Sequence, residues 1–327
     1  MGCVAIGRNE GERLHRCLSS VVGRVERVVY VDSGSTDGSP ALARRFGCEV
    51  VELDPDTPFT AARARNEGLQ RLLECCPSLE HVQFVDGDCE VVSGWLEVAA
   101  AALRNRPDLG VVCGRRREVA PCASAYNRLC DIEWNTPVGP AETCGGDAMM
   151  RVRALRQVGG FDPSLIAGEE PELCVRLRRA GWDVERIDHD MTLHDAAMTR
   201  FGQWWRRSVR AGHAFAEGAA RHGASPQRFW VREALRPWVY GAVIPVLALG
   251  ASLPTGGASL ALLGAYPVSA ARVYRGIRKR GYGRRDAALA AGFNTLGKFA
   301  ELQGVLQYHL ARRLGWRRRI IEYKGAA

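Results

Sequence analysis

Val82-Gln83-Phe84-Val85-Asp86-Gly87-Asp88 is the stretch on which the fold turns. The short apolar run from Val82 to Val85 reads as a strand, and Gly87 breaks it. The strand ends in two carboxylates one residue apart. Each ionised group costs several kcal/mol to take out of water, so a buried pair needs a partner. A hard divalent cation is such a partner, because it takes carboxylate oxygens together with substrate phosphates. For an isolated Asp-x-Asp the bland alternative is a solvated turn between two strands.

Towards the N-terminus the chain alternates strand and helix signals. Cys3 to Ile6 is short and apolar, Asn9, Glu10 and Gly11 form a turn, and Leu14, Leu18, Val21 and Val22 have helical spacing. Val28 to Val31 is a second buried strand, ending in the polar loop Asp32 to Gly38. Ala41, Leu42 and Phe46 mark a helix, and Glu49 to Leu53 a strand. This alternation predicts an α/β fold, a mostly parallel sheet with helices on both faces. Ligands of such sheets lie outside the carboxyl ends of the strands, so the Asp32 loop and the Asp86 turn are expected to line one crevice. Between them, Arg63, Arg65, Asn66, Glu67 and Gly68 open a helix, and a helix N-terminus with arginine suits an anion.

Towards the C-terminus, Trp95 to Leu103 reads as a helix and Gly110 to Cys113 as a strand, followed by Arg115, Arg116 and Arg117, which suit a solvated edge rather than an acidic acceptor. Thr143 to Met150 reads as a glycine-hinged strand carrying Gly146 and Asp147. In Gly168-Glu169-Glu170-Pro171-Glu172-Leu173, proline suits the first helical turn and the acids suit the positive end of the helix dipole. The same carboxylates have the chemistry of a general base, which a hydroxyl nucleophile needs in order to attack at neutral pH. Trp182 to Ile187 reads as the last strand, with His189 and His194 after it.

Apolar residues make up 46% of the 327-residue chain, enough to bury a sizeable core. The eleven cysteines lie between Cys3 and Cys174 without Cys-x-x-Cys spacing, which argues for reduced cytosolic thiols rather than zinc ribbons or disulfides. The chain opens on a strand pattern, so no signal peptide is expected. From Pro226 onward there are 17 Lys and Arg against 4 Asp and Glu, yet Pro237 to Ala271 carries no charge at all. Basic residues flanking an apolar block favour a membrane surface and argue against nucleic acid, which asks for interleaved aromatic residues. Trp238 to Leu253 and Ala258 to Ala271 have 16 and 14 residues, short for spans across a bilayer core of about 30 Å. They suit a shallow hairpin, two short spans or a buried helix pair. Ala287 to Leu310, closed by Arg312, Arg313 and Arg317 to Arg319, reads as an amphipathic interface helix.

Four motifs occur in order: Val-Ala-Ile-Gly-Arg-Asn-Glu from Val4, Val-Asp-Ser-Gly-Ser-Thr-Asp-Gly from Val31, Ala-Arg-Asn-Glu-Gly-Leu from Ala64, and Val-Asp-Gly-Asp from Val85. Together they resemble the nucleotide-sugar-binding half of a family 2 glycosyltransferase with the GT-A (Rossmann-like) fold. The resemblance implies a catalytic domain over residues 1–225 and a helical, membrane-associated appendage over 226–327. It assigns donor binding to Asn9, Glu10, Asp32, Arg65 and Asp86, and Mg2+ or Mn2+ to Asp88 and His194. Gly146 and Asp147 would border the acceptor pocket. By position in a Glu-Asp motif, Glu170 would be the base and Glu169 its alternative, with glutamate where the family has aspartate. Gln203-Trp204-Trp205-Arg206-Arg207 partly resembles the Gln-x-x-Arg-Trp motif of membrane-bound polysaccharide synthases, which would put Arg206 near the donor diphosphate. Gly7 stands where proline is usual. The implied activity is metal-dependent, inverting transfer of a sugar from a nucleoside-diphosphate donor to a hydroxyl acceptor. A lipid-linked or polysaccharide acceptor at the cytoplasmic face of the cell membrane would suit the tail. Two rivals are a sugar-nucleotide pyrophosphorylase, whose Gly-x-Gly-Thr-Arg loop is replaced here by Gly7-Arg8-Asn9-Glu10-Gly11, and a non-catalytic membrane scaffold.

Overall fold

The computed structural model describes residues 1–315, so the expected basic cluster Arg317 to Arg319 lies outside the described residues. The chain forms two compact units, one of Met1–Ala120 with Glu133–Ala196, the other of Pro121–Ile132 with the chain from Ala197 onward.

The first unit is a nine-stranded sheet with helices. Its elements are β1 (Gly2–Gly7), α1 (Glu12–Val21), β2 (Val28–Asp32), α2 (Ser39–Arg45), β3 (Glu49–Glu52), α3 (Ala61–Cys75), β4 (His81–Asp86), β5 (Cys89–Val91), α4 (Trp95–Asn105) and β6 (Leu109–Glu118). After α5 (Ala125–Trp134), whose first residues belong to the second unit, come β7 (Gly139–Pro140), β8 (Ala148–Arg151), α6 (Val152–Val158), α7 (Glu169–Arg179) and β9 (Asp183–His194). The strand order is β3-β2-β1-β4-β8-β6-β9-β5, with β7 also on β9. Every residue of β2 is buried, as are Gly2 to Ile6 of β1, which is what strands covered on both faces require.

The sheet is mixed, not mostly parallel. The strands β3, β2, β1 and β4 are parallel, as are β6 and β9. In contrast β8 runs against both neighbours, and β5 and β7 run against β9. Because β5 pairs with β9, Asp86-Gly87-Asp88 is not a hairpin turn. Two strands outrun their expected ends: β6 continues through the three arginines and β9 through His194, each held by the other along a bulged ladder. Of the expected strand from Thr143, only Ala148–Arg151 pairs.

The second unit is helical. It contains α8 (Phe201–His222), α9 (Val231–Trp238), a π-helical turn (Val239–Val243), α10 (Ile244–Gly250), a 3-10 segment (Ala258–Gly264), α11 (Ala265–Lys279) and α12 (Arg284–Leu314). The unit starts after Ala196 rather than near residue 225, because α8 packs along α12. The contact is backbone to backbone: a Cβ on Gly304 would lie 1.9 Å from the Val209 carbonyl oxygen, and one on Gly212 2.0 Å from that of Glu301. Thus α12 buries a small-residue stripe, Ala287, Ala290, Gly297, Ala300 and Gly304, against protein, while Leu306, Leu310 and Leu314 stay exposed. Among the described residues no helix is long and apolar enough to cross a membrane.

Candidate active site

The carboxyl ends of β1, β2 and β4 lie side by side. Gly7 pairs with Asp32, and Ile6 with Asp86, so Asp32 and Asp86 stand two strand spacings apart, about 10 Å. The loops after β1 and β2 are tied to each other. Asn9 accepts the Thr36 N–H at 2.7 Å and gives its own N–H to Ser35 Oγ at 2.9 Å, while the Gly11 N–H reaches Asp37 at 2.9 Å. Asp32 is 2% exposed, and both its oxygens accept protein donors. Oδ2 accepts the N–H groups of Gly34 and Ser35 at 3.0 and 2.7 Å, and Oδ1 accepts the Tyr30 hydroxyl at 2.9 Å. Burial and the neighbouring Asp32 raise the Tyr30 pKa, so the phenol stays a donor. Glu10, beside this loop, pairs with Arg13 at 2.9 Å.

A chain of charge crosses the strand ends. Arg65 on α3 is buried and gives Nη1 to Glu169 at 2.8 Å and Nη2 to Asp86 at 2.7 Å. Desolvation opposes its charge, but Asp86 and Glu169 outweigh it and raise its pKa. Arg65 is therefore occupied by two carboxylates, where donor contact was expected; it positions Asp86 and Glu169. Gly146 sits against this pair, since a Cβ there would meet Arg65 Nη2 and Asp86 Oδ2, each at 2.7 Å. Asp147 is fully buried. It accepts the Asp86 N–H at 2.9 Å and the Thr192 hydroxyl at 2.8 Å, and pairs with Arg116 at 2.9 Å. Its carboxylate faces protein donors and fixes the Asp86 backbone.

Asp88 and His194, distant in sequence, meet here. His194 Nε2 lies 3.3 Å from Asp88 Oδ2, both side chains nearly inaccessible. The meeting follows from the ladder, in which Cys89 pairs with His194. Behind the imidazole, Nδ1 is 4.0 Å from Glu118 Oε2, and Trp134 packs edge-on at 4.6 Å. Burial and then Arg116 push the His194 pKa down to about 4, so the ring is neutral at physiological pH. A neutral imidazole, an adjacent carboxylate and a carboxylate behind the ring are the parts of a divalent metal site. Ligand atoms of Asp88, Cys89 and His194 lie within 4.8 Å of one another. The residues present therefore fit a bound cation.

Glu169 and Glu170 open α7 after Gly168, whose φ is 80°. Glu169 belongs to the Arg65 network. Glu170 is buried and takes bonds on Oε1, from the Cys144 N–H and from the Cys174 thiol at 3.3 Å. Arg206 lies on α8 in the second unit.

Arg116, Glu118 and Thr192 were not anticipated. Arg116 was expected on a solvated edge; its side chain is 15% exposed and turns to Asp147 and over the Trp134 ring. Period-two alternation along a longer strand would have separated it from the exposed Arg117.

The sequence profile described as glycosyl transferase family 2 matches residues 4–158. An uncharacterized glycosyltransferase of Mycobacterium bovis is 30% identical over 187 residues, 55% of this chain and 79% of that one. A pre-mycofactocin glycosyltransferase of Mycobacterium tuberculosis is 29% identical over 66% of this chain; the chain spans only 46% of that relative's length. Among solved structures, the mannosyltransferase of Pyrobaculum calidifontis in complex with GDP-Man and Mn2+ superposes with a TM-score of 0.60 at 20% identity, covering 94% of this chain and 86% of that one. The profile and the Mycobacterium bovis relative agree: the chain belongs to the family 2 glycosyltransferases.

Proposed function

We propose that the chain transfers a sugar from a nucleoside-diphosphate donor to a hydroxyl acceptor with inversion at the anomeric carbon, using Mg2+ or Mn2+. The observation that carries this reading is the approach of Asp88 Oδ2 to His194 Nε2, 3.3 Å. Support comes from the Pyrobaculum mannosyltransferase, solved with GDP-Man and Mn2+.

Asp88 and His194 would hold the cation, with Glu118 orienting the ring from behind. A cation held there would supply positive charge against the departing diphosphate. The nucleoside lies against the tied loops of Asn9, Glu10 and Asp32. Asp86 is fixed by Arg65 from one side and by Asp147 through its backbone. Glu170 takes the acceptor proton on Oε2 as the new glycosidic bond forms, while its Oε1 stays anchored by Cys144 and Cys174. Glu169, the alternative base, is already engaged by Arg65 Nη1 at 2.8 Å. The acceptor is a lipid-linked saccharide or polysaccharide, met at the cytoplasmic face of the cell membrane.

The full chain, given a panel of UDP- and GDP-sugars with Mn2+, should release nucleoside diphosphate from one of them. Asp88→Asn should abolish release together with Mn2+-dependent nucleotide binding. Glu170→Gln should keep binding and lower turnover by about 10²–10⁴-fold, the span of a general base. Undiminished turnover in Asp88→Asn would falsify the reading.

A further inference from the structure

Residues 239–268 form a helical hairpin whose tip is apolar and exposed. Val246 is 66% exposed, Leu249 65% and Leu253 93%, while Leu260, Leu262 and Val268 continue the patch on the return arm. No charged residue lies between Pro237 and Ala271. We infer that this hairpin inserts into one leaflet of a bilayer rich in anionic lipid, without crossing it. The inference shares with the proposed function only the membrane address, and none of its chemistry.

Three features order themselves along the hairpin as lipid does along its depth. The leucine tip comes first. Behind it Tyr240 and Tyr266, one on each arm, sit 6.2 Å apart, with the Tyr266 hydroxyl bonded to the Tyr240 carbonyl. Behind them stand exposed arginines, Arg236 on one arm, Arg272 and Arg275 on the other. Apolar tip, aromatic ring level and cationic collar match acyl chains, interface and phosphate headgroups. From Tyr240 to Leu253 the arm rises at most about 20 Å at helical pitch. A hydrocarbon core is about 30 Å thick, so the tip stops short of the far side.

Backbone and hydroxyl groups inside hydrocarbon must bond to each other, since no water is there to do so. The tip meets that demand. Its three hydroxyls turn inward: Ser252 to the Leu249 carbonyl at 2.7 Å, Thr255 to Ala251 at 2.6 Å, Ser259 to Ala248 at 2.7 Å. The turn's N–H groups do the same, among them Ala251 to Leu247 at 3.1 Å, Thr255 to Ala251 at 3.1 Å, Gly257 to Ser252 at 2.7 Å and Leu260 to Gly257 at 3.1 Å.

The test is flotation of the full chain with vesicles of phosphatidylcholine alone or mixed with phosphatidylglycerol. The wild-type chain should float with the mixed vesicles and less with the neutral ones or in high salt. Leu249→Asp with Leu253→Asp should leave it at the bottom, with UDP or GDP binding and thermal midpoint unchanged. Arg272→Gln with Arg275→Gln should erase the preference for phosphatidylglycerol. Leu253→Trp should be quenched by lipids brominated along the acyl chain. Equal flotation of the aspartate variant would overturn the inference, as would failure of the wild-type chain to float. A lipid-free dimer that the aspartate variant splits would also overturn it, by assigning the tip to a second copy.

Discussion

At the scale of single residues, the site is a set of carboxylates that cannot share buried space without cations between them. Arg65 separates Asp86 from Glu169, and Arg116 neutralises Asp147. Asp88 Oδ2 lies 3.3 Å from the neutral His194 ring, with the Cys89 thiol 3.6 Å from Oδ1, and a carboxylate beside a neutral imidazole suits an added cation. Glu118 stands behind the ring at 4.0 Å and also accepts the Ala196 and Ala120 N–H groups at 3.1 and 3.2 Å. Glu118→Gln keeps the shape and removes the charge. It should weaken Mn2+ binding about 10–100-fold, as loss of a carboxylate behind a ligating histidine does, with the fold intact. Manganese titration followed by electron paramagnetic resonance measures it, and unchanged affinity would leave Glu118 a purely structural residue. Asp88 and His194 were legible in the sequence through their chemistry and the family motifs. Arg116, Glu118 and Thr192 were not, because their roles depend on which residue of β6 faces which residue of β9. Bulges shift that register between Cys113 and Arg116. Arg65 and Asp147 were legible as site residues, but not their protein partners, since sequence does not reveal which charges meet.

At the scale of elements, strand and helix alternation in the first hundred residues could be read directly, because each period is local. The antiparallel entry of β8 could not, since it depends on a pairing with β4 that no local pattern encodes. Two elements carry predictions. His81 opens β4 opposite Arg151, and burial together with that cation lowers its pKa from the ordinary 6.5. The unfolded chain therefore takes up a proton below pH 6.5 that the native strand resists. Stability is full above that pH and falls as the pH drops through it. His81→Gln should flatten the decline in thermal midpoint between about pH 7 and pH 5, the range set by an unperturbed histidine. An unchanged slope would remove His81 as its source. In the second unit, α8 and α12 touch through Gly212 and Gly304, and the space at Gly304 is filled by the Val209 carbonyl 1.9 Å from a built Cβ. Gly304→Val should cost about 1–3 kcal/mol, the range for overpacked contacts, read by thermal denaturation. An equal or higher midpoint would mean that the helices part without loss.

At the scale of the whole molecule, the sequence shows its division of labour in the charge count but misplaces the seam. The basic, partly apolar tail begins near Pro226, whereas the helical unit begins at Ala197, because α8 has the composition of a surface helix until α12 is seen lying on it. The cysteines give a test that spans both units. All eleven are free thiols: Cys122 is exposed, Cys75 and Cys76 are half-buried, and the remaining eight are buried. Only the thiolate reacts readily with a disulfide reagent, so both exposure and ionisation count. Burial pushes the Cys48 thiol up to about 11, and it raises Cys3, Cys17, Cys89 and Cys144 as well. Cys174 lies 3.6 Å from Cys144 with neither sulfur open to solvent. The native chain at neutral pH should therefore release one equivalent of chromophore quickly from a dithiobis-nitrobenzoate solution and two more slowly. The other eight should follow only when denaturant opens the core, and Cys122→Ser should delete the fast phase alone. A fast phase of several equivalents in the native chain would mean that the sheet's carboxyl-end loops, Cys144 among them, open to solvent. The carboxylate network drawn around Arg65 would then not be held shut before substrate arrives.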